Sequence, residues 1–411
     1  MEMVTPSRHR IFSALGAAII WGACVLFPGP GGARAADPAA AKGHHPAAPA
    51  GVGSLDVFAR GNQLHLLLAR TLRGEPPGLF YFRSEDAGRT WLPRVRIDSA
   101  APHNPHRGMD AQIAATHEVI LAAWMIQGTG LFGSGPIALA RSTDGGKSWA
   151  PAASPLDDRS TAGHSFLDLA ADTAGVFHLT WLDSRDGQQG VRYTRSTDGG
   201  KTWEPNQTLK AASCECCWNT LATGGAGEVA VLFRDKDPRD MRVAFSKDGG
   251  AAWQVGAPAG SFGWQFNGCP HTGGGLAFSR EAGQPVLHSA VWTGRSGQTG
   301  VYYTRSTDLG AEWTKPQALG SEKASHPDLA ALPDGTIAAV WDVHGNGAGD
   351  GIWTALSSDH GVTWNPPVHF ARRASATHPR VAAADGEFAV FWTETTDTGE
   401  SYWRRQPLAK P

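Results

Sequence analysis

Two neighbouring segments concentrate the side chains that can do chemistry. One reads Ser213-Cys214-Glu215-Cys216-Cys217-Trp218-Asn219 and the other Asn267-Gly268-Cys269-Pro270-His271-Thr272. Together they carry four thiols, an imidazole and the Glu215 carboxylate. Thiolate beside imidazole is a ligand set for copper(I) or zinc(II), the soft and borderline ions. Met109, close in sequence to His106, adds a thioether. The same cysteines also fit two disulfides in an oxidising compartment, Cys217–Cys269 tying two segments and Cys214–Cys216 closing a short loop. A staple needs only two cysteines, so the density of the C-x-C-C run is what favours a metal.

Further histidines recur at comparable places: His106 (with His103), His164, His326 and His378. Each alone reads as a structural residue. As a set spaced along the chain they read as a ring, with the cysteine segments filling two of its positions. A third group is polar: Asp183, Arg185 and Asp186; Arg234, Asp235, Arg239 and Asp240; Arg295; Asp342 and His344; and Glu394. Asp110, Asp168 and Asp328 stand nearby. Carboxylates beside arginines serve glycoside chemistry, or else form a hydrogen-bonded rim that orders loops. Asp183, Arg185, Arg234, Asp235, Arg295 and Asp342 are the ligand-binding candidates of this group.

The elements that must position these residues are set by a repeat. S-x-D-x-G-x-T/S-W, or a close variant, occurs at Ser84–Trp91, Ser142–Trp149, Ser196–Trp203, Ser246–Trp253, Ser306–Trp313 and Ser357–Trp364, with starts 58, 54, 50, 60 and 51 residues apart. In each copy the Asp carboxylate is placed to accept from the turn's own amides, the Gly to take a positive φ, and the Trp to close the turn against a neighbour. An apolar strand, a tight turn and a second apolar strand precede each copy. These turns fall at Gly61, His117, Gly175, Gly227, Gly283, Gly335 and Gly386. That makes seven units, and a period of about fifty residues with four strands per unit is the signature of a β-propeller.

The six motifs resemble the Asp-box (BNR) repeats of the sialidase superfamily, over roughly residues 54–405. The resemblance implies an all-β, sialidase-like propeller of four-stranded blades with the Asp boxes on the face opposite the active site. Seven blades are expected, the last completed by the N-terminal segment or left three-stranded; six is the alternative, if the first and last units merge. Family sialidases clamp a carboxylate with three arginines, use a Tyr–Glu nucleophile and an Asp acid/base, and carry an Arg-Ile-Pro motif. No Arg-Ile-Pro occurs here. Of five tyrosines, Tyr81, Tyr193, Tyr302 and Tyr303 sit on third strands leading into Asp boxes, which leaves Tyr402, beside Arg404 and Arg405, as the one nucleophile candidate. The resemblance therefore speaks for the fold more than for an activity.

In such a fold the loops leading into the innermost strands share a face with those joining second and third strands. The His and Cys residues are thus expected to converge on the mouth of the central channel. The expected function is ligand binding there, with copper or zinc as the specific ligand. The alternatives are an exo-glycosidase or glycan-binding protein, and a protein-interaction scaffold.

The chain's 36 Lys and Arg against 38 Asp and Glu, with a net charge of −2, give no basis for nucleic-acid binding. Residues 1–35 read as a signal peptide: Arg8 and Arg10, an apolar run from Ile11 to about Phe27, and Ala33-Arg34-Ala35 before the cut. That apolar run is short for a membrane span. Residues 36–53 read as an Ala/Pro/Gly-rich linker containing His44-His45, and 54–411 as the propeller. A periplasmic or secreted location follows. Cys24 leaves with the signal peptide, so four cysteines remain.

Overall fold

The structure is a computed structural model. It describes residues 51–71, 76–104, 108, 110–130, 133–158, 163–185, 187–225, 227–345 and 347–410. The expected signal peptide and most of the expected linker lie outside these residues. The first strand opens at Gly51, inside the stretch read as linker.

Every regular element among the described residues is a strand, apart from an isolated 3-10 turn position. Seven strands line the central channel: Gly51–Arg60, Gln112–Ala115, His164–Ala171, Thr220–Thr223, Gly275–Glu281, Ala324–Ala331 and Thr377–Ala384. Each neighbours the next, and the seventh neighbours the first, so they form a closed ring. From each, antiparallel partners run outwards, giving blades 1 to 7 in chain order. Blades 1 to 6 have four strands. Blade 7 shows three, ending with Ser401–Leu408, and a single parallel pairing of Gly51 with Ser401 joins it to blade 1 as one seven-stranded sheet. Gly51 is needed there: its φ is +99° and a Cβ would strike the Ser401 carbonyl. Among the described residues, the first strand and the last thus meet at this one pairing, which joins the last blade to the first.

The strands form because apolar residues alternate with polar ones on the outer strands and run continuously on the second strands, which are buried on both faces. Phe177–Asp183, Val229–Arg234 and Ile337–Val343 are buried throughout. Between blades the core is filled by aromatics, including the fully buried Trp124, Trp181 and Trp341. The innermost acids stitch the ring. Asp56 Oδ2 accepts from the Ile113 amide (2.8 Å), Asp168 Oδ2 from Leu221 (2.6 Å) and Asp328 Oδ2 from Val381 (2.9 Å), each amide belonging to the next blade. Arg380 stands among them, and the charges of Asp328, Asp56 and Asp168 act on it.

The Asp boxes fold as their chemistry dictates. In the second, Asp144 Oδ1 accepts from the Ser142 hydroxyl (2.8 Å) and the amides of Lys147 and Ser148 (3.0 Å each). These bonds, led by that from the Ser148 hydroxyl, hold the carboxyl well below its ordinary range. The box tryptophans pack backwards on the preceding blade: Trp149 on Tyr81, Trp253 on Tyr193 and Trp364 on Tyr303. Those three tyrosines are pinned in turn by buried histidines, His65, His178 and His288, whose Nδ1 atoms lie 2.7–2.8 Å from the hydroxyls. Burial pushes His65 and His288 down to about 3, so both are neutral acceptors. The next box's glycine makes room for each tyrosine: a Cβ would strike the ring edge of Tyr81 at Gly146 and the hydroxyls of Tyr193 and Tyr303 at Gly250 and Gly361. Gly361→Ala is therefore expected to cost about 2–4 kcal/mol, because Tyr303 is locked by His288 and Trp364 and the φ of +80° disfavours any side chain. Denaturant unfolding measures this. A loss below about 0.5 kcal/mol would show that the tyrosine is free to move aside.

Candidate metal centre and channel mouth

The loops leading into the innermost strands do share a face, opposite the Asp boxes. The cavity at that mouth is lined by Asp110, Trp218, His326, His378 and Arg380, among others. The hollow at the other end is lined by the hairpin turns at Gly61, His117 and Gly175 and by Asp-box residues such as Asp198.

The His and Cys candidates do not form one ring on this face. They fall into three groups, and strand register explains the division. In blades 6 and 7 the sequences His326-Pro327-Asp328 and His378-Pro379-Arg380 place the histidine two residues before an innermost-strand charge. In blades 2 and 3 that position is held by Gly108 before Asp110 and Phe166 before Asp168. Gly108, Phe166, His326 and His378 all have left-handed φ values, +87°, +53°, +47° and +50°. His164 lies two residues earlier, at a different register. It is buried with Nδ1 3.1 Å from the Gly135 carbonyl and Nε2 3.2 Å from Asp158. His106 and Met109 lie outside the described residues, as does Asp186.

The mouth group is built on Asp342. Its carboxylate, fully buried at the end of the second strand of blade 6, accepts from the Ser325 hydroxyl (3.0 Å), the Thr377 hydroxyl (2.7 Å) and the His378 amide (2.9 Å), and sits 2.8 Å from His326 Nδ1. Burial raises this carboxyl, but the charge and hydrogen bond of His326, the hydrogen bond of His344 and the charge of His378 outweigh it and hold the group well below its usual range. The hydrogen bond to Asp342 raises His344. The imidazoles of His326 and His378 stack with centroids 3.8 Å apart, and His378 also meets the edge of Trp218. Trp218 Nε1 donates to Asp110 Oδ2 (2.5 Å).

The cysteine group is separate from that cavity and adjoins it through Trp218. Cys214, Cys216 and Cys217 are buried among Phe166, Val191, Tyr193 and Phe233, between blades 3 and 4. Their loop is fixed by backbone bonds, Ser213 to Gln189 (2.8 Å) and Cys214 to Arg234 (3.0 Å), and by the Asn219 amide donating to the Phe166 carbonyl (3.1 Å). Cys214 Sγ lies 3.4 Å from Cys217 Sγ and 3.7 Å from Cys216 Sγ. Cys216, the exposed Cys269 and His271 form a second set with ligand atoms within 4.8 Å of one another. All four cysteines are free thiols, with neither of the disulfide pairings considered from the sequence formed. Arg239 Nη1 donates to Cys214 Sγ (2.9 Å) and to Glu215 (3.3 Å), and Lys236 pairs with Glu215 at 2.6 Å. Burial raises Cys217, but hydrogen bonds from Cys214 and Cys216 and the charge of Arg234 outweigh it and favour the thiolate there. Cys269 is also lowered, first by its hydrogen bond with Cys216, whereas Cys216 itself is raised by the sulfurs pressed against it and Cys214 is raised to about 11. Burial lowers His271, leaving a neutral imidazole.

The arginine and carboxylate candidates have partners within the loops. Asp183 accepts from Arg185, Arg192 and Trp181, and Arg185 also reaches Asp157 and Asn206. Asp235 binds Lys210 and Arg242. Arg295 donates to the Phe262 and Gly263 carbonyls. Arg234, almost fully buried, donates to the carbonyls of Arg239 (2.7 Å), Thr272 (3.1 Å) and Trp292 (3.0 Å). Among them only Asp342 is a neighbour of the mouth cavity, through His326 and His378. Tyr402 does donate to Glu394, which also accepts from Arg404 (2.9 Å), but neither Tyr402 nor Glu394 lines the mouth cavity. Among the described residues lining that cavity Arg380 is the single arginine, where the sialidase resemblance implies three.

Comparison with solved structures returns matches at low identity. A protein of unknown function from Dyadobacter fermentans is 14% identical over 88% of this chain and 95% of its own, with a TM-score of 0.49. A Hadza microbial sialidase is 18% identical over 72% of this chain and 63% of its own, with a TM-score of 0.45. The six-bladed fucose-recognising lectin of Aleuria aurantia is 11% identical over 76% of this chain and 92% of its own, with a TM-score of 0.46. No curated protein matches the sequence significantly. The family description that matches, "BNR repeat-like domain", spans residues 180–390, just over half of the chain. With its six Asp boxes and its closed ring of strands, this chain belongs to the BNR repeat-like family of sialidase-like β-propellers.

Proposed function

We propose that this protein is an exported propeller that binds a thiophilic transition-metal ion, copper(I) or zinc(II), through Cys214, Cys216, Cys217, Cys269 and His271. The observation that carries this reading is the spacing of the sulfurs. A metal–sulfur bond of about 2.3 Å places the thiolates of a trigonal or tetrahedral site about 4 Å apart, and Cys214 stands 3.4 and 3.7 Å from its two neighbours. The chemistry of the surroundings agrees. Arg239 donates to the Cys214 sulfur, the charge of Arg234 favours the Cys217 thiolate, and the neutral His271 offers a nitrogen lone pair. The packed shell of Phe166, Tyr193 and Phe233 excludes water from the inner sulfurs. Metal would displace the thiol protons, so affinity rises with pH.

The double substitution Cys216→Ser, Cys217→Ser is expected to abolish stoichiometric binding while the propeller stays folded, since blade closure and all six Asp boxes lie elsewhere. Metal content after desalting, with far-UV circular dichroism as the control for folding, tests this. A folded double variant that still retains one ion per chain would remove these residues from the site.

A further inference from the structure

Building on that reading, we infer that the cluster is binuclear: it holds two copper(I) ions, with the Cys216 thiolate bridging them. The candidate ligands form two triads, Cys214–Cys216–Cys217 and Cys216–Cys269–His271, and Cys216 is common to both. Each triad supplies a trigonal set, which copper(I) accepts, whereas zinc in a closed site takes four ligands. A thiolate has lone pairs enough for two soft ions, and Cys216 is the thiol that faces Cys214, Cys217 and Cys269 together.

Charge supports the same count. Four thiolates and two copper(I) ions sum to −2. Arg239, donating to Cys214 Sγ, and Arg234, whose charge acts on Cys217, supply the two compensating cations. Glu215, which Arg239 also touches, is matched by the further charge of Lys236. The two ions also differ in access. The first triad is buried throughout, while the second includes the exposed Cys269 and the half-buried His271. One ion is therefore held fast and the other exchanges with solvent-borne donors.

The test is anaerobic titration of the full-length apo-protein with copper(I) against bathocuproine disulfonate, followed by X-ray absorption at the copper edge. Two ions per chain, sulfur-dominated shells and a copper–copper scattering path are expected, with chelator removing one ion fast and the other slowly. Cys269→Ser, at an exposed position that leaves the core untouched, should retain one ion and lose the fast phase. Cys216→Ser should retain neither. A single ion per wild-type chain, or two ions without a copper–copper path, would overturn the bridged pair while leaving the metal site in place. No copper retained at all, with zinc equally unbound, would overturn the proposed function itself.

Discussion

Arg234→Met is expected to destabilise the protein by about 3–5 kcal/mol and to weaken metal binding in the fraction that folds. Arg234 is nearly inaccessible, and its guanidinium is the post to which three separate loops are tied. It donates to Arg239 O within its own hairpin, to Thr272 O just after His271, and to Trp292 O at the end of the next blade's second strand. It also lies over the rings of Trp264 and Trp292, at 5.4 and 5.9 Å. Methionine fills much of the volume but leaves three buried carbonyls without donors, each worth about 1–3 kcal/mol. It also removes the cation that favours the Cys217 thiolate. Lysine, a point charge without the planar fork, cannot reach three divergent carbonyls and is expected to rescue little. Denaturant unfolding of apo-protein and a copper competition assay read the two effects. Wild-type stability in Arg234→Met would show that the loops hold themselves.

Asp168→Asn is expected to leave stability near neutral pH little harmed and to make the protein more stable than wild type above about pH 8. Burial, with the charge of Asp56 adding, pushes Asp168 up to about 8 from an ordinary value of 3.8. A carboxyl with a raised folded pKa keeps its proton in the native state. Its favourable contribution is complete below 3.8, declines by about 1.4 kcal/mol per pH unit above that, and is gone once the pH passes about 8. The full span is on the order of 5 kcal/mol. Asparagine cannot ionise, yet its carbonyl still accepts from the Leu221 amide that Asp168 holds at 2.6 Å. The variant-minus-wild-type stability should therefore climb between pH 4 and pH 8 and then level off. Asp56, raised to about 6, and Asp328 face the same Arg380 and titrate alongside, so the difference between the two proteins, not the wild-type curve alone, isolates Asp168. Parallel curves for the two proteins would mean that the Asp168 site is wet and its carboxyl ordinary.

The architecture was legible in the sequence because its signals are local. The Asp-box turn is closed by bonds between residues two to four apart, as at Ser142, Asp144 and Ser148, so each copy announces itself without tertiary information. The hairpin glycines and the buried second strands are equally local, and counting them gave the seven innermost strands. The adjacency of the two cysteine segments was legible for the same reason, since consecutive units become consecutive blades.

What escaped was register. Grouping His164 with His326 and His378 by loop ignored that only the latter two stand two residues before an innermost-strand charge, the position that takes a left-handed φ and faces the mouth. That spacing is visible in His326-Pro327-Asp328 and His378-Pro379-Arg380, and Phe166-Leu167-Asp168 shows what replaces it in blade 3. The partners of Asp168 and Asp328 were not legible either. The amides that donate to them belong to Leu221 and Val381, 53 positions away, and only closure of the ring brings them together. Asp183, Arg234 and Asp235 look like binding residues by type, but in space Asp183 is taken up by Arg185, Arg192 and Trp181, Arg234 by three carbonyls, and Asp235 by Lys210 and Arg242.

The most direct test of the central claim is elemental analysis, with a parallel free-thiol count, on protein purified from its native source without chelators. The account predicts stoichiometric copper or zinc, with Cys214, Cys216, Cys217 and Cys269 recovered as free thiols once the metal is stripped under anaerobic denaturing conditions. Metal-free protein with all four cysteines oxidised would contradict it and make the cluster a covalent staple between blades.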